Sequence, residues 1–270
     1  MSQQQIYYES DGSSWIISNN ISIRINLEKK IVKNSKMKLL ELFSGTHSIG
    51  KVAEKYNIDV VSLDRDLPAS CPFTDYTSKN HINADIMTWD YKKFNPNEFD
   101  IITASPVCLW WSCLRKSWIG RKLKAFGDIK VTREMLEGDI DLFGKPMVDK
   151  VFEIINYFNP KYFWIENPQT GSMKHYIDEK YQTPYLDVDY CKYSSWGYKK
   201  RTRFWYKGLD NFKPKTCKWD CENYISVEDK ETKKVRKCHK ANCSKGKITT
   251  KDRYRIPETL IEDFFKEIVN

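Results

Sequence analysis

Residues 38–50 read KLLELFSGTHSIG. Lys38 to Phe43 is a compact, mostly apolar run, as a buried strand requires. Ser44-Gly45-Thr46 is a tight turn, and Gly45, with no Cβ, lets the backbone approach a ligand closely. From His47 to Tyr56, the residues Ile49, Val52, Ala53 and Tyr56 recur at helical spacing. Strand, glycine turn and helix in this order make one unit of a sheet covered by helices.

The unit repeats downstream. Asp59 to Leu63 is a second apolar strand ending at Asp64, and Phe99 to Ala104 a third ending at Ser105-Pro106. Pro146 to Phe158 carries Val148, Val151, Phe152, Ile155 and Phe158 at helical spacing, and Tyr162 to Ile165 is a fourth strand ending at Glu166-Asn167-Pro168. The pattern predicts an α/β, Rossmann-like domain with a mostly parallel sheet. Ligands of such sheets bind outside the carboxyl ends of the strands, so Gly45, Asp64, Cys108 and Glu166 are expected at one edge. A carboxylate at Asp64 suits ribose hydroxyls, and Asp85 suits an adenine amine.

Outside this domain the signals are weaker. Trp15 to Leu27 alternates apolar and polar residues and reads as a strand pair around Asn19-Asn20. Residues 109–145 form a long connection rich in tryptophan, lysine and arginine, either a binding loop or a surface excursion. Residues 208–250 are a polar, cysteine-bearing insertion, and Ile256 to Asn270 reads as an amphipathic helix with Pro257 in its first turn.

Composition limits the partners. The net charge is +9 and the pI about 9.0. Residues 211–255 hold 14 Lys or Arg against 6 Asp or Glu, so they carry +8 of that total. This fits phosphate contacts from a C-terminal lobe, or plain solvated lysine. No apolar run reaches the roughly 18 residues of a membrane span, and the first residues lack a secretory pattern, so an intracellular, cytoplasmic protein is expected. Eight cysteines in such a chain are expected as thiols, ligands or nucleophiles. Cys217-x3-Cys221 and Cys238-His239-x3-Cys243 are spaced either as zinc ligands, with His239 able to replace Cys238, or as unliganded cysteines.

Taken together, Phe43-Ser44-Gly45, Asp64, Asp85-Ile86, Ser105-Pro106-Val107-Cys108, Glu166-Asn167-Pro168 and Arg201-Thr202-Arg203 resemble, in order and spacing, the DNA cytosine-5 methyltransferases. The resemblance is strongest to the small enzymes of viruses and phages, and Arg253-Tyr254-Arg255-Ile256-Pro257 looks like their closing segment. It implies a class I S-adenosylmethionine-dependent methyltransferase fold with a small basic, cysteine-rich lobe. Phe43, Ser44, Gly45, Thr46 and Pro106 would line the S-adenosylmethionine site, with Asp64 on the ribose and Asp85 and Ile86 on the adenine. Cys108 matches the nucleophile, Glu166 the acid that grips the target cytosine, and Arg201 and Arg203 the arginine pair near the flipped base. The implied organisation is an extension over 1–36, a catalytic domain over 37–206, a target-recognition lobe over 207–252 and a packing helix over 253–270. Duplex DNA would be met by Arg115 and Lys116 from the loop and by Lys233, Lys234 and Lys237 from the lobe of a monomer. The chain departs from the family at Val107, where proline is usual, at Leu109, and at His47, where glycine is common. An RNA cytosine-5 methyltransferase of the same fold and a weakened DNA-binding relative are the competing readings.

Overall fold

The computed structural model describes residues 5–8, 14–18, 21–25, 36–65, 78–196, 198–229, 231–242 and 250–269. These fall into two units, 1–35 and 36–270. In the first, β1 (Gln5–Tyr8), β2 (Ser14–Ser18) and β3 (Ile21–Ile25) form an antiparallel sheet in that order. Ser18 pairs with Ile21, so β2 and β3 flank Asn19-Asn20 as the alternation predicts.

The second unit is built on seven strands: β4 (Lys38–Leu42), β5 (Asp59–Asp64), β6 (His81–Asn83), β7 (Ile101–Ala104), β8 (Tyr162–Pro168), β9 (Tyr185–Asp189) and β10 (Arg201–Lys207). Their order is β6-β5-β4-β7-β8-β10-β9. The first five are parallel, and β10 runs antiparallel to both β8 and β9. The chain leaves β4 outward through β5 and β6, then returns to β7 on the other side. That reversal opens a crevice beyond the carboxyl ends of β4 and β7. This is the Rossmann-like architecture the sequence predicts, with one inserted antiparallel strand.

The helices are α1 (Gly50–Lys55), α2 (Arg133–Asp139), α3 (Lys145–Phe158), α4 (Met173–Lys180), α5 (Thr250–Tyr254) and α6 (Glu258–Val269). Alternate residues of each strand feed opposite faces of the sheet. Leu39, Ile101, Trp164 and Phe204 join α1 and α6 on one side. Leu40, Leu42, Ile102, Phe163, Ile165 and Trp205 join α3 and Ile177 of α4 on the other. Leu260, Ile261, Phe264 and Phe265 of α6 are completely buried, with Phe264 and Phe265 edge-on to Trp164. Burial on this scale contributes about 1.5–3 kcal/mol per side chain.

Helix α2 falls inside the connection expected as a loop over 109–145, and two of the boundaries that differ from the sequence expectation have a visible cause. The first helix begins at Gly50 rather than His47, because Glu41 Oε1 accepts the N–H groups of Ile49 and Gly50 (3.1 and 3.2 Å) and fixes the start. Strand β8 runs on to Pro168 because β10 pairs with it up to that point. A two-stranded antiparallel hairpin, β11 (Tyr224–Glu228) with β12 (Val235–His239), occupies the basic insertion. Among the described residues, no helix is long and apolar enough to cross a membrane.

Candidate active site

Sheet register aligns the strand ends. Leu42 pairs with Leu63 and with Ala104, and Ala104 pairs with Ile165. Phe43, Asp64, Ser105 and Glu166 are therefore consecutive members of one row across the carboxyl edge.

The left side of the row is the glycine turn. Phe43, Gly45 and His47 all have positive φ (57°, 46° and 52°), so residues 43–47 curl sharply between β4 and α1. His47 is fully buried in a left-handed conformation, which accounts for glycine being the common residue there. The buried Glu41 accepts hydrogen bonds from α1 through Oε1 and from Ser62 Oγ through Oε2 (3.1 Å), and so holds the turn from below. Gly50 is required here, since a Cβ would lie 2.7 Å from Glu41 Oε2. Asp64 Oδ2 accepts the Gly45 N–H at 2.8 Å. Burial pushes the Asp64 carboxyl above its ordinary value, although the Gly45 and Arg65 N–H groups and two histidines oppose the shift. The Ser44 hydroxyl is buried and meets no partner among the described residues. Asp85 lies just beyond β6, its Oδ1 accepting the Met87 N–H, and Ile86 is buried beside it. From the far end of the chain, the Ile256 N–H donates to Ser48 Oγ, so the closing segment braces the same turn.

The right side holds the reactive groups. Cys108 follows β7 at the mouth of the site, exposed at its tip. Surrounding protein and the Glu166 carboxylate raise its thiol above the ordinary value, and the Lys200 ammonium partly offsets them. Glu166 is buried at the end of β8. Its Oε1 accepts from Lys200 Nζ at 3.0 Å and from the Tyr190 hydroxyl at 3.1 Å. Burial would lower the Lys200 pKa, but Glu166 outweighs it and the ammonium is held. Asn167 Nδ2 donates to Pro106 O at 2.9 Å and ties the β7 and β8 ends together.

Lys200, Tyr190 and Glu41 are members of this constellation that the sequence reading does not single out. The only sequence signal at Lys200 is the Lys199-Lys200-Arg201 run, and a short basic run by itself is ordinarily solvated charge. Arg201 and Arg203 point along β10 toward acids of β9. Arg201 binds both oxygens of Asp189 (3.1 and 2.6 Å), and Arg203 binds both oxygens of Asp187 (2.8 and 3.0 Å) while stacking on Tyr185 at 3.5 Å.

No family model matches the chain. It is 38% identical over 230 residues to a protein of Frog virus 3 (isolate Goorha) named "Probable DNA (cytosine-5)-methyltransferase", covering 83% of this chain and 97% of that one. The chain belongs to the DNA (cytosine-5)-methyltransferase family. Among solved structures, the methyltransferase is similar to S. pombe Dnmt2 (19% identity, TM-score 0.36) and to Entamoeba histolytica EhMeth (15% identity, TM-score 0.40). Those matches cover 63% and 64% of this chain, and the chain spans about half the length of each structure.

The methyltransferase's loop after Cys108 is anchored rather than free. Trp111 is buried against Gly144, where a Cβ would come within 2.9 Å of the indole, and its carbonyl accepts the Ser172 N–H. Arg115, expected on the phosphate surface, is instead 3% exposed. It is ion-paired with Asp139 and sits between the rings of Trp110 and Trp118, while Lys116 beside it is exposed. Apolar Leu109, Leu114 and Ile119 are exposed along the same loop. Lys233, Lys234 and Lys237 are exposed on the hairpin.

The ligand set read from the spacing of the insertion is also corrected in part. Cys217, Cys221 and His239 come together, but their fourth neighbour is Cys191, beyond β9. Cys238 is not among them: it is disulfide-bonded and adjacent to His239 on β12, so it faces the other side. Cys243 lies outside the described residues.

Proposed function

We propose that the protein transfers a methyl group from S-adenosylmethionine to carbon 5 of a cytosine in duplex DNA, with Cys108 as covalent nucleophile. The observation that carries this reading is Cys108 beside the Glu166–Lys200 pair, on the sheet edge that also bears the Phe43–Thr46 turn and Asp64.

The turn fits the methyl donor. The Ser44 hydroxyl, without a partner among the described residues, and Gly45, which carries no side chain at a positive φ, suit close approach of its amino-acid end. Asp64 would accept its ribose hydroxyls, and Asp85 and Ile86 would hold the adenine. When bound, it supplies an electrophilic methyl group. A stacked cytosine cannot reach this edge, so the base must turn out of the duplex. The Cys108 thiolate adds to carbon 6, and the electron pair released toward carbon 5 makes that carbon nucleophilic. Glu166 accepts from the exocyclic amine and favours a proton on N3, which draws electrons the same way. Among the described residues Glu166 Oε1 is taken by Lys200 and Tyr190, which leaves Oε2 for the base. After methyl transfer a base removes the carbon 5 proton, and the thiolate leaves. Every group named belongs to one chain, so a monomer suffices, working inside the cell where DNA is found.

The test is bisulfite sequencing of duplex DNA treated with the purified protein and S-adenosylmethionine, with a structured RNA as parallel acceptor. Methylated cytosines in DNA are expected, in a defined sequence context. Cys108→Ser should lower turnover by on the order of 10⁴-fold or more, and should end covalent trapping by 5-fluorocytosine DNA. Normal activity in that variant would overturn the mechanism, and methylation of the RNA alone would favour the RNA reading.

A further inference from the structure

Four buried side chains outside the catalytic edge converge on one point: Cys191, Cys217, Cys221 and His239. Their ligand atoms all lie within 4.8 Å of one another. Cys217 Sγ is 3.6 Å from Cys221 Sγ, and His239 Nε2 is 3.4 and 3.3 Å from those two sulfurs. A disulfide needs about 2.05 Å, so the thiols are not bonded. A tetrahedral zinc ion with sulfur at about 2.3 Å and nitrogen at about 2.0 Å has sulfur–sulfur edges near 3.8 Å and sulfur–nitrogen edges near 3.5 Å. The three spacings among Cys217, Cys221 and His239 match those edges, and Cys191 lies within 4.8 Å of each.

We infer that Cys191, Cys217, Cys221 and His239 form a structural zinc site that fastens the basic hairpin to the catalytic sheet. Three thiolates and one imidazole suit zinc, and four protein ligands leave no position for substrate or water, as in structural sites.

The surroundings support the assignment. The ligands come from three separate segments: the turn after β9, the loop at 217–221, and the end of β12. That spread explains why spacing along the chain does not reveal Cys191 as a neighbour of the other three. Supporting hydrogen bonds orient the segments. The Cys217 N–H donates to Asp189 Oδ2 at 2.7 Å, and Asn223 Nδ2 donates to the carbonyls of Cys191 and Ser194 at 3.1 and 2.8 Å. The Trp219 ring covers His239 at 4.8 Å between centroids. The hairpin itself has almost no apolar core: β11 is part-exposed throughout, and of β12 only His239 is buried. A metal would therefore supply most of the force that orders it.

The position links this cluster to the active edge. Asp189, two residues before Cys191, holds both Arg201 and Cys217. Tyr190, between them, holds Glu166. The site therefore fixes the hairpin's lysines relative to the residues proposed to grip the base.

The test begins with metal content. Protein purified without chelator is expected to hold one equivalent of zinc per chain. Cobalt exchanged into the wild-type protein should give the strong visible absorption of a tetrahedral, thiolate-ligated ion. Cys191→Ser and His239→Gln should lose the metal, whereas Cys238→Ser should keep a full equivalent. If the ligand variants fail to fold, the wild-type cobalt spectrum still decides the coordination. Absence of stoichiometric zinc together with a weak, octahedral cobalt spectrum would overturn the proposal, and so would full metal content in Cys191→Ser. Zinc analysis needs no methyl transfer, so its outcome is separate from that of the catalytic reading. Zinc removal should weaken DNA binding at least tenfold and leave S-adenosylmethionine binding unchanged. Equal DNA affinity with and without the metal would overturn the fastening role.

Discussion

In the proposed function, Asp64 serves both the turn and the ligand with one carboxylate. One oxygen accepts the Gly45 N–H and shapes the turn, while the group remains part-exposed to the crevice. Losing a charged acceptor of this kind costs about 1–3 kcal/mol, so Asp64→Ala should weaken S-adenosylmethionine binding by that amount in calorimetry. The pH dependence follows from the direction of its shift. Ribose hydroxyls need the ionised carboxylate, and burial raises the Asp64 pKa. Affinity should therefore be full at neutral pH. As pH falls, it should decline at a higher pH than an ordinary carboxylate would give. Asp64→Asn should bind more weakly and without that decline; an unchanged profile would move the ribose contact elsewhere. At this scale the sequence was informative where chemistry sits at a strand end, as at Cys108, Asp64 and Glu166. It was silent at Lys200 and Tyr190, whose roles arise only once β10 is inserted beside β8 and brings them onto Glu166.

At the scale of elements, β9 and β10 carry matched alternating charges. Asp187 and Asp189 stand opposite Arg203 and Arg201 in the sheet register. Asp189 is fully buried, and its charge is compensated by Arg201 and by the Cys217 N–H. Arg201→Gln removes a two-pronged, charge-assisted partner from it. The expected loss is about 1–3 kcal/mol of stability in urea unfolding. No change in stability would assign Arg201 wholly to the substrate. The pattern Asp-Val-Asp followed by Arg-Thr-Arg was visible in the chain, but only the register shows that the two runs face each other. The connection after Cys108 was legible as a long excursion, but its last part is helix α2 (Arg133–Asp139) and not loop. Its anchoring by Trp111 in the notch above Gly144 was not legible, because that contact joins residues 33 positions apart.

Across the whole molecule, the uneven charge becomes a placement. The exposed Lys233, Lys234 and Lys237 lie on or beside β12, at the far end of a hairpin whose base meets the catalytic sheet. If this lobe clamps duplex DNA, replacing the three lysines with alanine should flatten the slope of log affinity against log salt by about 2–3 units. S-adenosylmethionine affinity should stay the same, since the glycine turn takes no residue from the hairpin. An unchanged slope would identify these lysines as solvated charge and pass DNA contact to the loop bearing Lys116. Four of the parallel strands, the helix faces and the closing helix were readable from periodicity, because burial imposes it, whereas β6, β9, β10 and the order of the sheet were not. The position of the lobe was not, since it rests on a few polar contacts between distant segments.

The strand order has a further consequence, for the sequence of events in folding. β9 is made before β10 yet lies outside it, so β9 has no place in the sheet until β10 arrives. The two are close in sequence, so they can pair with each other first and then dock together on β8. The Asp187–Arg203 and Asp189–Arg201 pairs are internal to that hairpin and available at once. Docking on β8 joins distant parts of the chain and is the slower closure. Glu166, Tyr190 and Lys200 therefore come together only once β10 is in the sheet, and a chain halted before that point would have its glycine turn in place but lack the Glu166–Tyr190–Lys200 cluster.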